Sequence, residues 1–223
     1  WSSGFSAWNP GERGARAALR DFLPDLADYE ETRNFPSKPG TSRLSPHIHF
    51  GEISPATVWH HAEAKAGPKA RSFLSEIAWR EHGLNLVDQF PAYAQRNGRA
   101  LFDHFPWRSG SEADADFRAW CKGQTGFPVV DAGMRELAST GYTSNRMRQI
   151  VASYLVHDLA CDWRAGAAWF ESQLIDFDIC SNQGNWLYVS GRGTDPRAGR
   201  RFNPTKQTQD HDAQGRYRQV WLA

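Results

Sequence analysis

The sequence predicts an all-α fold, on three observations. Apolar residues recur at helical spacing in segment after segment. Helix starts are marked by a Ser-Pro pair or a leading proline, and one stop is marked by glycine. No segment alternates apolar and polar residues in the manner of a strand.

The elements follow in order. In "RLSPHIHF" and "ISPATVWHHAEAK", Ser45-Pro46 and Ser54-Pro55 each read as a capping serine followed by a first-turn proline. "FLSEIAWREHGLNLV", residues 73–87, is a further helix. "GFPVVDAGMRELASTG" has Pro128 suited to a first turn, an apolar row at Val130, Met134 and Leu137, and Gly141 as its stop. "NRMRQIVASYLVHDLA" sets Met147, Ile150, Val151, Tyr154 and Leu155 at i, i+3, i+4, i+7 and i+8, an amphipathic helix. "AAWFESQLIDFDI" reads as one more helix, with Asp176 and Asp178 at its end. Residues 28–45 and 190–212 are polar, rich in Gly, Pro, Arg and Asp, and read as loops. There is no repeat of fixed period.

Composition narrows the function classes. The chain has 223 residues, 40% of them hydrophobic, enough for a real core, and residues 1–223 are expected to form a single domain. A formal charge of +1 announces no nucleic-acid partner for the chain as a whole. The basic residues are locally concentrated, however. Residues 192–218 hold seven of them against three acids, an excess that can track a phosphate backbone or simply be solvated loop charge. Three widely spaced cysteines, Cys121, Cys161 and Cys180, fit a reduced, cytoplasmic protein and no disulfide framework. No apolar run reaches membrane-spanning length, and the opening "WSSGFSAWNPGE" lacks the shape of a signal peptide. It also lacks an initiator Met, as expected of an excised fragment.

Several constellations carry possible chemistry. "LIDFDICSNQGNW", Leu174 to Trp186, sets polar groups in an apolar segment, where they need partners. Asp176 and Asp178 at i, i+2 point to different sides, so they are not a shared general acid/base pair. Glu76 and Arg80 at i, i+4 read either as a surface ion pair or as part of a site with Phe73 and Trp79. Asn145, Arg148 and Ala152 share a helix face opposite the apolar one, which is either solvated or functional. "GTSRLSP" joins small residues, Thr41, Ser42 and Arg43 to a helix start, a combination that suits a phosphate, although a plain cap explains Ser45 equally well. "SGRGTD" has Pro196 where a third glycine belongs and is no dinucleotide fingerprint. His47/His49 and His60/His61 lack the partners of a metal site, and none is expected.

Seven stretches in order, "TSRLSP", "EIAWRE", "FPWR", "TGFPVVDAGMREL", "SNRMRQIVASYLVHDLACDWR", "QLIDFDICSNQGNW" and "RFNP", give the chain a specific resemblance to the C-terminal FAD-binding domain of the DNA photolyase/cryptochrome family. The resemblance covers about Tyr29 to Leu222. It implies an all-helical domain holding a U-shaped FAD, without the family's N-terminal α/β antenna domain. It places the phosphates on Thr41, Ser42, Arg43, Leu44 and Ser45, with Tyr29 nearby. Phe73, Arg80, Asn145, Arg148, Asp176, Asp178 and Asn182 match flavin, ribose and adenine contacts, and Asn182 matches the residue facing flavin N5. Trp186, Trp163 and Trp107 match an electron-transfer row running from flavin to solvent, although three core tryptophans would have the same spacing.

The activity so implied is light-driven repair of cyclobutane pyrimidine dimers in DNA by electron transfer from excited, reduced FAD to a flipped-out lesion. Glu76, Trp79, Asn145 and Gln149 match positions lining the lesion pocket, with Trp79 as a stacking face. Arg33, Arg146 and Arg200 match positions that hold phosphates. Tyr188, two residues after Trp186, and Gln149 depart from the usual photolyase pattern. With "DICSNQGNWLY" they resemble DASH-type cryptochromes, which resemble photolyases that prefer single-stranded DNA. "TSRLSPHIHFGEISP" instead resembles bacterial dimer photolyases. Blue-light signalling with the same cofactor and a non-catalytic nucleic-acid-binding module are the alternatives. A monomer is expected.

Overall fold

The computed structural model describes residues 2–193 and 201–223, and these form helices and connecting turns with no β-strand among them. Twelve α-helices follow one another: α1 (Glu12–Phe22), α2 (Tyr29–Thr32), α3 (Ser45–His49), α4 (Pro55–Ala66), α5 (Arg71–Gln89), α6 (Ser111–Cys121), α7 (Pro128–Thr140), α8 (Asn145–Ser153), α9 (Trp163–Gln173), α10 (Ile179–Val189), α11 (Pro204–His211) and α12 (Arg216–Leu222). Short 3-10 turns precede α1 and bridge α1–α2 and α4–α5. None of the described helices is long and apolar enough to cross a membrane.

Helix ends follow local chemistry. Ser54 Oγ accepts from Thr57 N at 3.0 Å, Asp162 Oδ1 from Arg164 N at 3.0 Å, Asp178 Oδ1 from Ser181 N at 2.7 Å and Asn203 Oδ1 from Lys206 N at 3.0 Å, each satisfying a first-turn donor. Pro128 opens α7 as expected, and Gly141 closes it at φ 67°, in the left-handed region where glycine is unstrained. The amphipathic helix beginning at Asn145 widens into a π turn at Tyr154–Asp158.

Four expectations need correction. Residues 204–211 form α11 because Asn203 caps it and Pro204 fits its first turn. Tyr29–Thr32 is a helical turn, so the loop expected from residue 28 begins later. Ser45 is no cap. Leu44 holds that position, and the Ser45 hydroxyl goes elsewhere. "AAWFESQLIDFDI" is not one helix. α9 ends at Gln173, Leu174 is extended, and Asp178 caps α10, so both aspartates lie in the turn between two helices.

Two apolar clusters hold the structure. One gathers Leu19, Phe22, Leu26, Leu44, Val58 and Phe73 from the first five helices. The other gathers Trp120, Met134, Met147, Leu155, Trp163, Phe170, Trp186 and Tyr217 from the later ones. α10 packs on α5, α8 and α9, and α12 lies along α7. Most of the tryptophan surface of the second cluster serves this packing: Trp120, Trp163 and Trp186 are all buried there. Ile175 N donates to Gly141 O at 2.8 Å, which ties the α9–α10 turn to the α7–α8 turn and so fixes Asp176 beside α8.

Candidate functional site

The start of α8, the α9–α10 turn and the first turns of α10 line a partly open cleft. The face of α8 at i, i+3, i+4, i+7 supplies Asn145, Arg148, Gln149 and Ala152, while Met147, Ile150 and Val151 on its other side enter the core. α10 supplies Ser181, Asn182, Asn185 and Trp186. Phe170, Leu174 and Val189 add apolar wall. The polar face of α8 is therefore not simply solvated.

Asp176 anchors this cleft. Its side chain is 3% exposed and accepts Arg148 Nη2 on both oxygens, at 2.9 and 2.8 Å. Ser45 Oγ donates to the same carboxylate at 2.6 Å, bringing α3 to the site. Burial pulls the Arg148 guanidinium down, but the Asp176 charge and hydrogen bonds outweigh it and hold the cation above its usual range. Asn182 is buried and donates from Nδ2 to Ala167 O at 3.1 Å, which fixes its amide with Oδ1 unbonded among the described residues. Asp178 lines the cleft but spends one oxygen on its cap. The two aspartates do separate work.

The 40–45 segment runs past this site. Arg43 sits at φ 52°, unusual for a side-chain-bearing residue. Its guanidinium stacks 4.3 Å from the Trp8 ring and 5.4 Å from the Tyr142 ring, and Arg148 lies 5.4 Å from Tyr142 on its own account. Ser42 Oγ accepts Leu44 N at 3.3 Å, and Leu44 is buried. Tyr29 is buried edge-on to Phe22 and Phe73, with Arg33 5.0 Å over its ring, and burial drives its phenol up. Trp8 and Tyr142 were not singled out from sequence. An aromatic residue gives no local sign that it will stack on a distant arginine.

On α5 Glu76 and Arg80 do not form the ion pair that was one reading of their spacing. Glu76 Oε1 takes Arg33 Nη1 at 2.5 Å, and Arg80 Nη1 donates to Glu81 at 2.8 Å. The Arg33 cation, buried by α2, outcompetes the helical neighbour. Trp79 is 65% exposed, edge-on to His82. Phe73 is core, packed on Phe22 at 4.9 Å, and does not line the cleft. Arg146 donates to Asn34 Oδ1 at 3.2 and 3.0 Å and to Gln207 at 3.4 Å, so α11 joins this surface. Tyr188 is half-buried against the second cluster. Arg200 lies outside the described residues.

Trp163 and Trp186 are 1% and 2% exposed, and Trp107 is half-buried against the same cluster. Among the described residues, the ring contacts of Trp186 are with Phe170 and Trp120, at 5.2 and 6.2 Å, and not with Trp163. Trp163 Nε1 donates to Asn97 Oδ1 at 3.1 Å, and Arg192 lies 4.3 Å over Trp107. No group of three metal-ligating side chains occurs among the described residues.

One wall of the cleft offers a cation, a carboxylate and amides; the other offers Phe170, Leu174 and Trp186. That donor set fits a planar, nitrogen-rich ring system with polar edges, as a flavin has. The class is thus a helical domain built to hold a heteroaromatic cofactor. The pattern described as the FAD binding domain of DNA photolyase matches residues 73–223, and the chain belongs to the DNA photolyase/cryptochrome family, whose cofactor here is FAD. A deoxyribodipyrimidine photo-lyase of Agrobacterium fabrum is 45% identical, over 97% of this chain and 46% of its own length. A cryptochrome DASH of Synechocystis is 43% identical, over 97% of this chain and 45% of its own. The crystal structure of a bacterial class III photolyase from Agrobacterium tumefaciens superposes with a TM-score of 0.92 at 44% identity, covering all of this chain and 47% of that one. The chain spans about half the length of the relatives it matches.

Proposed function

We propose that residues 1–223 form the catalytic FAD-binding domain of a DNA photolyase that repairs cyclobutane pyrimidine dimers, with a preference for single-stranded DNA. The observation that carries this reading is the Arg148–Asp176 pair facing Asn182 across an aromatic-walled cleft. When bound, FAD supplies the light-driven electron for opening the dimer's ring. The protein's own part is positioning. Arg148, Asp176, Asp178, Asn182 and Asn145 would hold the ring system and sugar. Thr41, Ser42, Arg43, Leu44 and Ser45, with Tyr29, Phe73 and Arg80, would hold the rest.

Exposed Trp79 would give an extruded pyrimidine a stacking face, and Glu76, held by Arg33, would accept from its edge. Gln149, Asn145 and Tyr188 would bound the lesion, and Arg33, Arg146 and Arg200 would steady the phosphates without reading sequence. Trp107, Trp163 and Trp186 would carry electrons inward. Their exposures support that direction, since only Trp107 reaches the surface region. Identity to DASH-type and photolyase relatives alike supports the single-strand preference, and it also supports blue-light sensing as the second reading. The protein would act as a cytoplasmic monomer.

Illumination of flavin-loaded, reduced protein with dimer-containing single- and double-stranded DNA tests the proposal. Dimer loss, faster on single strands, is expected; no loss on either substrate overturns it in favour of sensing. A Trp163→Phe variant should lose photoreduction yet still repair after chemical reduction.

A further inference from the structure

A chain of hydrogen bonds leaves the cleft and ends on the last helix. Asp176 takes Arg148 Nη2, and Arg148 Nε donates to the Thr143 carbonyl at 2.9 Å. Thr143 Oγ1 donates at 2.6 Å to Glu136 Oε2, and the same oxygen accepts the Tyr217 hydroxyl at 2.6 Å. Thr143 is 0% exposed and Tyr217 2%, so water does not compete for these bonds. We propose that Glu136 and Tyr217 are positioning residues for the cofactor cleft, and that cofactor occupancy is thereby coupled to docking of α12. The proposal rests on reading the cleft as the FAD site.

The physical case is one of shared partners. Arg148 must present one edge to Asp176, and its Nε bond to the Thr143 carbonyl sets the rotation of the guanidinium plane. That carbonyl belongs to the residue just before Ser144, whose hydroxyl caps α8. The orientation of Thr143 is fixed from its other side by Glu136 on α7. Glu136 is in turn held by two hydroxyls, and its charge faces both Arg43 and Arg148. Without the Tyr217 hydroxyl, the half-buried carboxylate keeps a single hydroxyl donor and loses part of the stabilisation that holds it in place. α12 is itself pinned through Asp212, which accepts Tyr217 N at 3.0 Å and Arg218 Nε at 2.9 Å, so the hydroxyl arrives with little freedom. If docking of α12 raises the affinity for a ligand that needs the ordered Arg148, that ligand favours docked α12 by the same factor, since linkage is reciprocal.

Tyr217→Phe deletes one oxygen and keeps the ring's packing. Trp221→Ala serves as control, loosening the contact of α12 with the core without touching the relay. In the cofactor-free protein, hydrogen exchange of the Arg148 Nε proton should rise about tenfold in Tyr217→Phe, the scale of one charge-assisted bond, and stay unchanged in Trp221→Ala. With FAD added, amides of residues 216–222 should become more protected in the parent protein and not in Tyr217→Phe, which should release flavin about five- to tenfold faster. Parent-like Arg148 exchange in Tyr217→Phe, or an equal effect of both variants, overturns the relay. Failure of the parent protein to take up FAD overturns the cofactor reading instead, and the Arg148 exchange still decides the relay.

Discussion

Arg148 meets Asp176 through one terminal nitrogen shared between both carboxylate oxygens, at 2.9 and 2.8 Å, and thereby fastens α8 to the α9–α10 turn. The two residues are 28 positions apart in sequence. They meet because Gly141 O receives Ile175 N, folding one turn against the other.

Asp176→Asn should cost about 2 kcal/mol of stability, less than a fully buried pair because the Arg148 side chain is 22% exposed. The neutral amide leaves the guanidinium without its hydrogen-bonded countercharge and gives Ser45 Oγ a weaker acceptor. Urea unfolding of the cofactor-free protein measures the loss. Flavin retention after gel filtration should fall in parallel, and a variant as stable and as well loaded as the parent would contradict the anchoring role.

Asn182→Asp should make stability fall with rising pH. The parent amide donates to Ala167 O, and only a protonated acid can replace that donor. A buried carboxylate facing a carbonyl has its folded pKa raised. Its contribution is therefore present below the ordinary value of about 4 and lost as pH climbs through the raised one. Relative to parent, the variant should be near-neutral at pH 4 and destabilised by about 1–3 kcal/mol at pH 7. Chemical denaturation at both pH values decides it.

The all-α class, the start and stop of α7 and the two-sided character of α8 were legible in the sequence because periodicity and caps are local signals. So was the polar cluster around Asp176 and Asn182, since so many polar groups in an apolar stretch need partners. What was not legible depends on distance. The break at Leu174 arises from packing against Gly141, and no breaker residue announces it. Glu76 abandons Arg80 for Arg33, 43 positions away. Ser45 looked like a cap and instead serves a carboxylate 131 positions away. α11 was hidden because an Asn-Pro start in a charged, glycine-bearing stretch reads equally well as a turn.

The pairing of His47 with Glu52 should shape the acid limb of stability. His47 Nδ1 lies 2.5 Å from Glu52 Oε2, and this bond, aided by the Gly11 backbone N–H, holds the Glu52 carboxyl below its ordinary 4.5 despite partial burial. A lowered carboxylate stabilises above the unfolded value, and that stabilisation is lost as pH falls through the folded one. Thermal melts from pH 6 to 3 should therefore show a loss below about 4.5 that Glu52→Gln makes shallower. Identical pH slopes in both proteins would remove the pair from the account.

Gly166 on α9 is where a single methyl group should matter most for Trp186. A Cβ there would overlap Trp186 Cη2 and sit 2.6 Å from Leu155 Cδ2, well inside contact distance. Both neighbours are buried, and Trp186 also meets Phe170 and Trp120 edge-on, so the indole can retreat only toward the cleft. Glycine in mid-helix ordinarily costs about 1 kcal/mol relative to alanine, so on propensity alone Gly166→Ala would stabilise. Overpacking should offset or reverse that gain, for a net loss of up to about 2 kcal/mol after the helix gain is subtracted from a steric cost of about 1–3 kcal/mol. The same displacement should weaken flavin retention, because Trp186 lines the cleft. Near-ultraviolet circular dichroism should report a changed indole environment, whereas a stabilised variant with a parent-like spectrum would mean that α9 and α10 yield without disturbing the ring.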